Sequence, residues 1–154
     1  MTQADRQEGG CRCGRVRFSV TGRPLVTMAC HCDGCQKMTA SVFSVSALFH
    51  QSAFAITQGE TVPGGLRGEV QHHFCGYCLS WMFTRADFLG DLVNVRSMLL
   101  DTPQAEAPFI ECWTDAALPW TRTGARRSYP QFPDPADFPQ LMADYAAETD
   151  GQRP

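Results

Sequence analysis

Seven of the eight cysteines stand in three tight groups: Cys11-Arg12-Cys13, Cys30-His31-Cys32-Asp33-Gly34-Cys35 and Cys75-Gly76-Tyr77-Cys78. Thiols two or three residues apart can reach one soft metal ion together, and this is how zinc sites look in sequence. A pair, a pair and a triplet supply seven ligands. Four close one tetrahedral ion, and three leave a second ion with a vacant position. A closed site holds a fold together, whereas an open one can do chemistry.

The spacings have a physical meaning. In extended chain, residues i and i+2 face the same way, so the sulfurs of Cys11 and Cys13 can converge. Cys75 and Cys78 have the knuckle spacing, in which a tight turn aims two thiolates inward, and Gly76 suits such a turn. Together the two pairs would tie the N-terminal strand to a distant hairpin, a long loop to close. Cys30, Cys32 and Cys35 combine both spacings. Three thiolates on Zn2+ leave net charge −1 and one open position, where a substrate thiol would be deprotonated and held ready. Lys37 follows the triplet and offers a donor for a developing oxyanion or a substrate carboxylate, or is an ordinary solvated lysine.

Spacing also permits a second closed site, with a histidine or Cys112 completing the triplet. His31 lies between two ligands, so in extended chain it points away from them, towards a local backbone acceptor. His50 ends a β-rich stretch and reads as a surface residue. His72 and His73 are strand neighbours, of which at most one faces inward. Cys112, between Glu111 and Trp113 in an apolar stretch, reads as a small buried residue.

The chain has 154 residues, enough for one domain with a core of its own. Its 44% apolar and 19% charged residues are ordinary globular composition. A net charge of −3 argues against general nucleic-acid binding, and Arg126-Arg127 is too small a basic patch to alter that. The opening Met1-Thr2-Gln3-Ala4-Asp5-Arg6-Gln7-Glu8 lacks an apolar core of the secretory kind, and no run is long enough to span a membrane. These features predict a cytoplasmic protein with reduced thiols and no membrane partner.

The elements that position the cysteines are mostly strands. Residues 1–8 read as a flexible tail, and residues 9–154 as a single zinc-binding domain. Between Gly14 and Val20, Val16, Phe18 and Val20 alternate with Arg15, Arg17 and Ser19, the pattern of a half-buried strand. Further strands are expected over Leu25–Ala29, Ser41–Phe49, Ala53–Thr57, Glu69–Phe74, Ser80–Thr84, Leu92–Leu100 and Phe109–Thr114. Asp33–Thr39 allows a helical turn capped by Asp33. Gly59–Gly68 reads as a turn or mobile loop and the proline-rich stretch 115–135 as surface coil. Phe138, Leu141, Met142 and Tyr145 mark a short amphipathic C-terminal helix. The fold class is mainly β, built of small antiparallel sheets in a zinc-stapled sandwich or complex β fold.

Three motifs resemble those of one family. Gly9-Gly10-Cys11-Arg12-Cys13-Gly14-Arg15-Val16-Arg17-Phe18, Cys30-His31-Cys32-Asp33-Gly34-Cys35-Gln36-Lys37-Met38-Thr39 and Phe74-Cys75-Gly76-Tyr77-Cys78 are similar to the signature segments of glutathione-dependent formaldehyde-activating enzymes, whose domain also occurs in centromere protein V. The resemblance spans about residues 9 to 133. It implies two zinc ions per chain: a structural one on Cys11, Cys13, Cys75 and Cys78, and a catalytic one on Cys30, Cys32 and Cys35. It also implies a carbon–sulfur lyase that joins formaldehyde to glutathione as S-(hydroxymethyl)glutathione. Two positions depart from the motifs, where glycine is usual: Ala40 and Leu79. The rival expectation is a non-catalytic zinc module that binds a protein partner or a small thiol. A methionine sulfoxide reductase would need a reactive spare thiol, and Cys112, the sole spare, sits in apolar surroundings.

Overall fold

A computed structural model describes residues 6–103 and 106–150. The chain is mainly β, with eleven strands and two α-helices among the described residues. It divides into two compact units, one drawn from Met1–Pro24 and Ser46–Ala105, the other from Leu25–Val45 and Glu106–Pro154. The sequence predicts a single domain without a linker. Each unit is assembled from two separated segments, so no local change in composition marks the division.

In the first unit, β1 (Arg6–Gly10), β2 (Arg17–Thr21) and β5 (Phe54–Gln58) form an antiparallel sheet with β2 in the middle. Of the expected tail, Arg6, Gln7 and Glu8 belong to β1, opposite Thr21, Val20 and Ser19, while residues 1–5 lie outside the described residues. Strand pairing uses backbone groups, so polar side chains do not forbid it. Gly9 is required here by close approach rather than as punctuation: a Cβ would lie 2.5 Å from Phe18 Cζ and 2.7 Å from the Leu99 carbonyl oxygen. A second antiparallel ladder in this unit runs from residues 47–50 of β4 (Ser44–His50) through β9 (Leu92–Val95), β8 (Trp81–Ala86) and β7 (Val70–Cys75) to β6 (Thr61–Gly64). Strand β6 corrects the loop expected over Gly59–Gly68. It pairs with β7 from Thr61 opposite Cys75 to Gly64 opposite His72, and Pro63 is tolerated in a strand flanked on one side only.

The core of this unit contains Val16, Phe18 and Val20, as their alternation predicts, with Phe49, Phe54, Met82, Phe83, Val93 and Val95. The rings of Phe54 and Phe83 lie 4.8 Å apart. Cys11 and Cys75 are buried in the same cluster. The thiol pairs are therefore carried by strands that the core already fixes.

In the second unit, β10 (Ile110–Cys112) lies between β3 (Val26–Cys30) and β11 (Arg127–Ser128), and both pairings are parallel. Parallel pairing was not expected from the sequence; strands of three and two residues carry no readable periodicity. The C-terminal helix α2 (Phe138–Asp150) forms as predicted, with Leu141 and Tyr145 buried and Tyr145 edge-on to Phe109 at 5.5 Å. Glu148 on α2 binds Arg126 at 2.7 Å and Arg127 at 3.3 Å, which gives the adjacent arginines a structural use. Among the described residues no helix is long and apolar enough to cross a membrane.

Candidate metal centres

Each unit holds one thiol cluster. In the first, the sulfurs of Cys11, Cys13, Cys75 and Cys78 all lie within 4.8 Å of one another. Cys11 and Cys13 are 3.4 Å apart, and Cys13 and Cys75 3.8 Å. Four thiolates at tetrahedral zinc distances stand roughly 3.8 Å from each other, so the donor set fits a closed site. All eight cysteines are free thiols.

Local folding explains the convergence. The turn after Cys11 is closed by the Gly14 amide on the Cys11 carbonyl, and the Val16 amide donates to Cys11 Sγ at 3.3 Å. The knuckle between β7 and β8 is closed by the Leu79 amide on the Cys75 carbonyl. Arg15 lies over the Tyr77 ring at 3.5 Å, capping the tip of the knuckle. Cys78 is drawn down to about 5, chiefly by the Ser80 hydroxyl, whereas the neighbouring thiols help push Cys13 up to about 11 against the pull of the Arg15 amide. Gly76 serves packing, since a Cβ would meet Val62 Cγ1 at 3.2 Å. The left-handed residue of this turn is Leu79.

In the second unit, Cys30, Cys32 and Cys35 form a triplet whose sulfurs also lie within 4.8 Å of one another. Cys30 ends β3, and Cys32 and Cys35 lie at the start of α1 (Asp33–Thr39). The helix cap is Cys32, not Asp33: Cys32 Sγ accepts the Cys35 amide at 3.4 Å. A thiolate is favoured there, because the first amides of a helix have no other partner. Cys32 is accordingly pulled down to about 2, by hydrogen bonds from Cys30 and Cys35 and then by the local amides. Cys30 is pushed up by Cys112 and Cys32, and Cys35 by Cys30 and Cys32.

The remaining candidates separate clearly. Lys37 lies on the exposed side of α1, with its side chain 78% exposed and its Nζ 3.0 Å from Asp33; this is the arrangement of a solvated lysine. His50 is exposed. His72 shares a hydrogen bond with Thr84, and His73 one with Thr61 while stacked on Phe83; neither joins a thiol cluster. Cys112 is fully buried and stands opposite Cys30 in the β3–β10 ladder, with its thiol directed at the Ala29 carbonyl at 3.6 Å. It is not one of the three mutually close sulfurs. Cys112→Ala should therefore leave the metal content measured by elemental analysis unchanged, at a stability cost of about 1–2 kcal/mol for the lost packing.

Ala40 and Leu79, where the resembling motifs carry glycine, share one backbone property: φ is +49° at Ala40 and +57° at Leu79. Ala40 terminates α1 in the left-handed form, its amide on the Gln36 carbonyl. Non-glycine residues pay about 1–2 kcal/mol there, and glycine loses about 0.5–1 kcal/mol of chain entropy instead. Ala40→Gly and Leu79→Gly should each stabilise the protein by about 0.5–1 kcal/mol, seen as a rise of about 1–4 °C in melting temperature. Both side chains are exposed, Leu79 by 66%, so little packing is lost.

Sequence reasoning missed the polar network around Glu111. Its carboxylate accepts from Ser128 Oγ and Thr123 Oγ1, each at 2.6 Å, and lies 3.1 Å from His31 Nε2. Although burial opposes the charge, these hydrogen bonds hold Glu111 below the usual carboxylate range. His31 thus meets a carboxylate rather than the local backbone acceptor expected. A cavity of about 450 Å³, walled in part by His31, Glu111, Thr121, Arg122 and Thr123, opens beside the network.

The family model described as glutathione-dependent formaldehyde-activating enzyme matches residues 6–116, a span containing both thiol clusters. No curated protein matches the chain. Among solved structures, the chain is similar to a crystal structure of a Rhodobacter sphaeroides protein, with TM-score 0.53 and 19% identity over 64% of this chain and 91% of that one. At that identity the likeness concerns the fold. The family match extends over well more than half of the sequence, and the chain belongs to the glutathione-dependent formaldehyde-activating enzyme family.

Proposed function

We propose that the protein is a zinc-dependent carbon–sulfur lyase that joins a thiol, glutathione, to formaldehyde and reverses the reaction. Cys11, Cys13, Cys75 and Cys78 would hold a structural zinc, and Cys30, Cys32 and Cys35 a second one. The observation that carries the reading is that three thiols, Cys30, Cys32 and Cys35, are mutually close at the start of α1, with Cys112, beside Cys30, outside that set. Three protein ligands leave a coordination position for substrate, as in catalytic zinc sites generally. A zinc ion bound there supplies Lewis acidity that keeps a substrate thiol ionised at neutral pH.

The overall reaction balances simply. A sulfur–carbon bond forms, the carbonyl π bond breaks, and the proton lost by the thiol ends on the new hydroxyl. The chain's own contribution is to hold the ligands. The helix start favours the thiolate of Cys32, and Gln36 anchors α1 by donating to the His31 carbonyl at 2.7 Å and to the Ala116 carbonyl at 3.0 Å. Lys37 is assigned no step. At chemical equilibrium the protein should accelerate exchange between formaldehyde and its glutathione adduct, followed by magnetisation-transfer NMR against the protein-free background. Exchange no faster than that background would refute the activity and leave a non-catalytic zinc module.

A further inference from the structure

We propose that Glu111 is a positioning residue for the three-thiol centre, acting through His31. The inference rests on the reading of that centre as a metal site. The β3–β10 register sets Cys112 opposite Cys30 and Glu111 opposite Ala29. Successive residues of a strand face opposite ways, so Glu111 lies on the face away from the Cys30 side chain. His31 follows Cys30 and reaches that same face, where Nε2 lies 3.1 Å from Glu111 Oε2. It is thus the residue between two ligands whose side chain is anchored behind the sheet.

The anchor is built to be rigid. His31 is 1% exposed and edge-on to Phe43 at 5.3 Å. Its amide donates to the Cys112 carbonyl at 3.0 Å, and its carbonyl accepts from Gln36. Glu111 in turn is fixed by hydroxyls from two different segments, Thr123 and Ser128. The contact of Glu111 Oε2 with Nε2 ties the ring in place. The peptides on either side of His31 carry Cys30 and Cys32, and any rotation of the ring's backbone moves both sulfurs.

The four-thiol centre is held differently: Ser80 Oγ lies 3.3 Å from Cys78 Sγ, and no buried histidine–carboxylate pair stands behind its thiols among the described residues. Arg12, the residue between Cys11 and Cys13, is exposed, and its amide donates to Ser80 Oγ at 3.1 Å. Four ligands around one ion hold each other in place. Three do not, and the geometry of an open site must come from outside the ligand set; such outer partners are typically worth about 10- to 100-fold in metal affinity.

The test is zinc affinity at each centre, measured by competition with a chromophoric chelator, for the wild type, Glu111→Ala, Glu111→Gln and Thr123→Val. The expected result is a weakening of the second centre by about 10- to 100-fold in Glu111→Ala, with the first centre unchanged. Glu111→Gln should recover most of it, since an amide can still hydrogen-bond to His31 Nε2. Thr123→Val, which loosens the carboxylate while keeping its charge, should fall in between, and it keeps the test decisive should Glu111→Ala not fold. A merely structural role would lower melting temperature but leave second-centre affinity at the wild-type value, and that result would overturn the proposal. A wild type that binds only one zinc would instead overturn the metal-site reading beneath it.

Discussion

Cys11→Ser should abolish cooperative folding of the first unit. Cys11 and Cys75 sit inside its hydrophobic cluster, and Cys13 and Cys75 join segments 62 residues apart. A structural zinc contributes apparent folding free energies of about 10–16 kcal/mol in small metal-dependent domains. Whole domains are stable by only about 5–15 kcal/mol. Losing the ion therefore removes an amount comparable to the entire margin. The substitution also puts a smaller, polar group at a buried position of the cluster, an added cost in packing. Circular dichroism should show no sigmoidal melt, and elemental analysis at most one zinc per chain. A variant that melts within a few degrees of the wild type and still carries two zinc ions would remove the staple from the account.

Cys32→Ser should have the opposite profile. Its side chain caps a seven-residue helix and accepts a single amide, and serine is itself a good cap. The fold should survive, with a loss of no more than about 2 kcal/mol. The three-thiol centre should not: the two remaining thiols hold zinc weakly. Zinc content should fall from two to one per chain. Catalysed exchange of formaldehyde with its glutathione adduct should drop by at least about 10²-fold, to background. Retained exchange with one zinc per chain would place the chemistry elsewhere.

The contrast between these variants follows from what the sequence made legible. Thiol spacing is a local signal tied to ligand geometry, so both clusters were readable before any fold was known. The alternation at Val16, Phe18 and Val20 and the helical period at Phe138, Leu141, Met142 and Tyr145 were legible for the same reason: each repeats within a few residues. Strand β6 was not, because Pro63 and Gly64 are turn residues by composition, and only its pairing with β7 makes a strand of them. The partnership of His31 with Glu111 spans 80 residues and depends on a parallel register that no local pattern encodes. The stretch 115–135 reads as surface coil, and it supplies both hydroxyls that hold Glu111. Ala40 and Leu79 show the reverse case: the motif departures were visible, but their backbone meaning emerged only with φ.

The central claim is that the three-thiol centre accepts a fourth thiol from outside the protein. Cobalt(II) substitution tests it directly, because thiolate-to-cobalt charge-transfer bands report the number of sulfurs on the ion. Titrating glutathione into the cobalt-loaded protein should intensify and shift the bands of the second centre in a saturable way. The Cys32→Ser protein, retaining cobalt only at the four-thiol centre, should show no response. Bands in the wild type that stay unchanged through millimolar glutathione would contradict the claim.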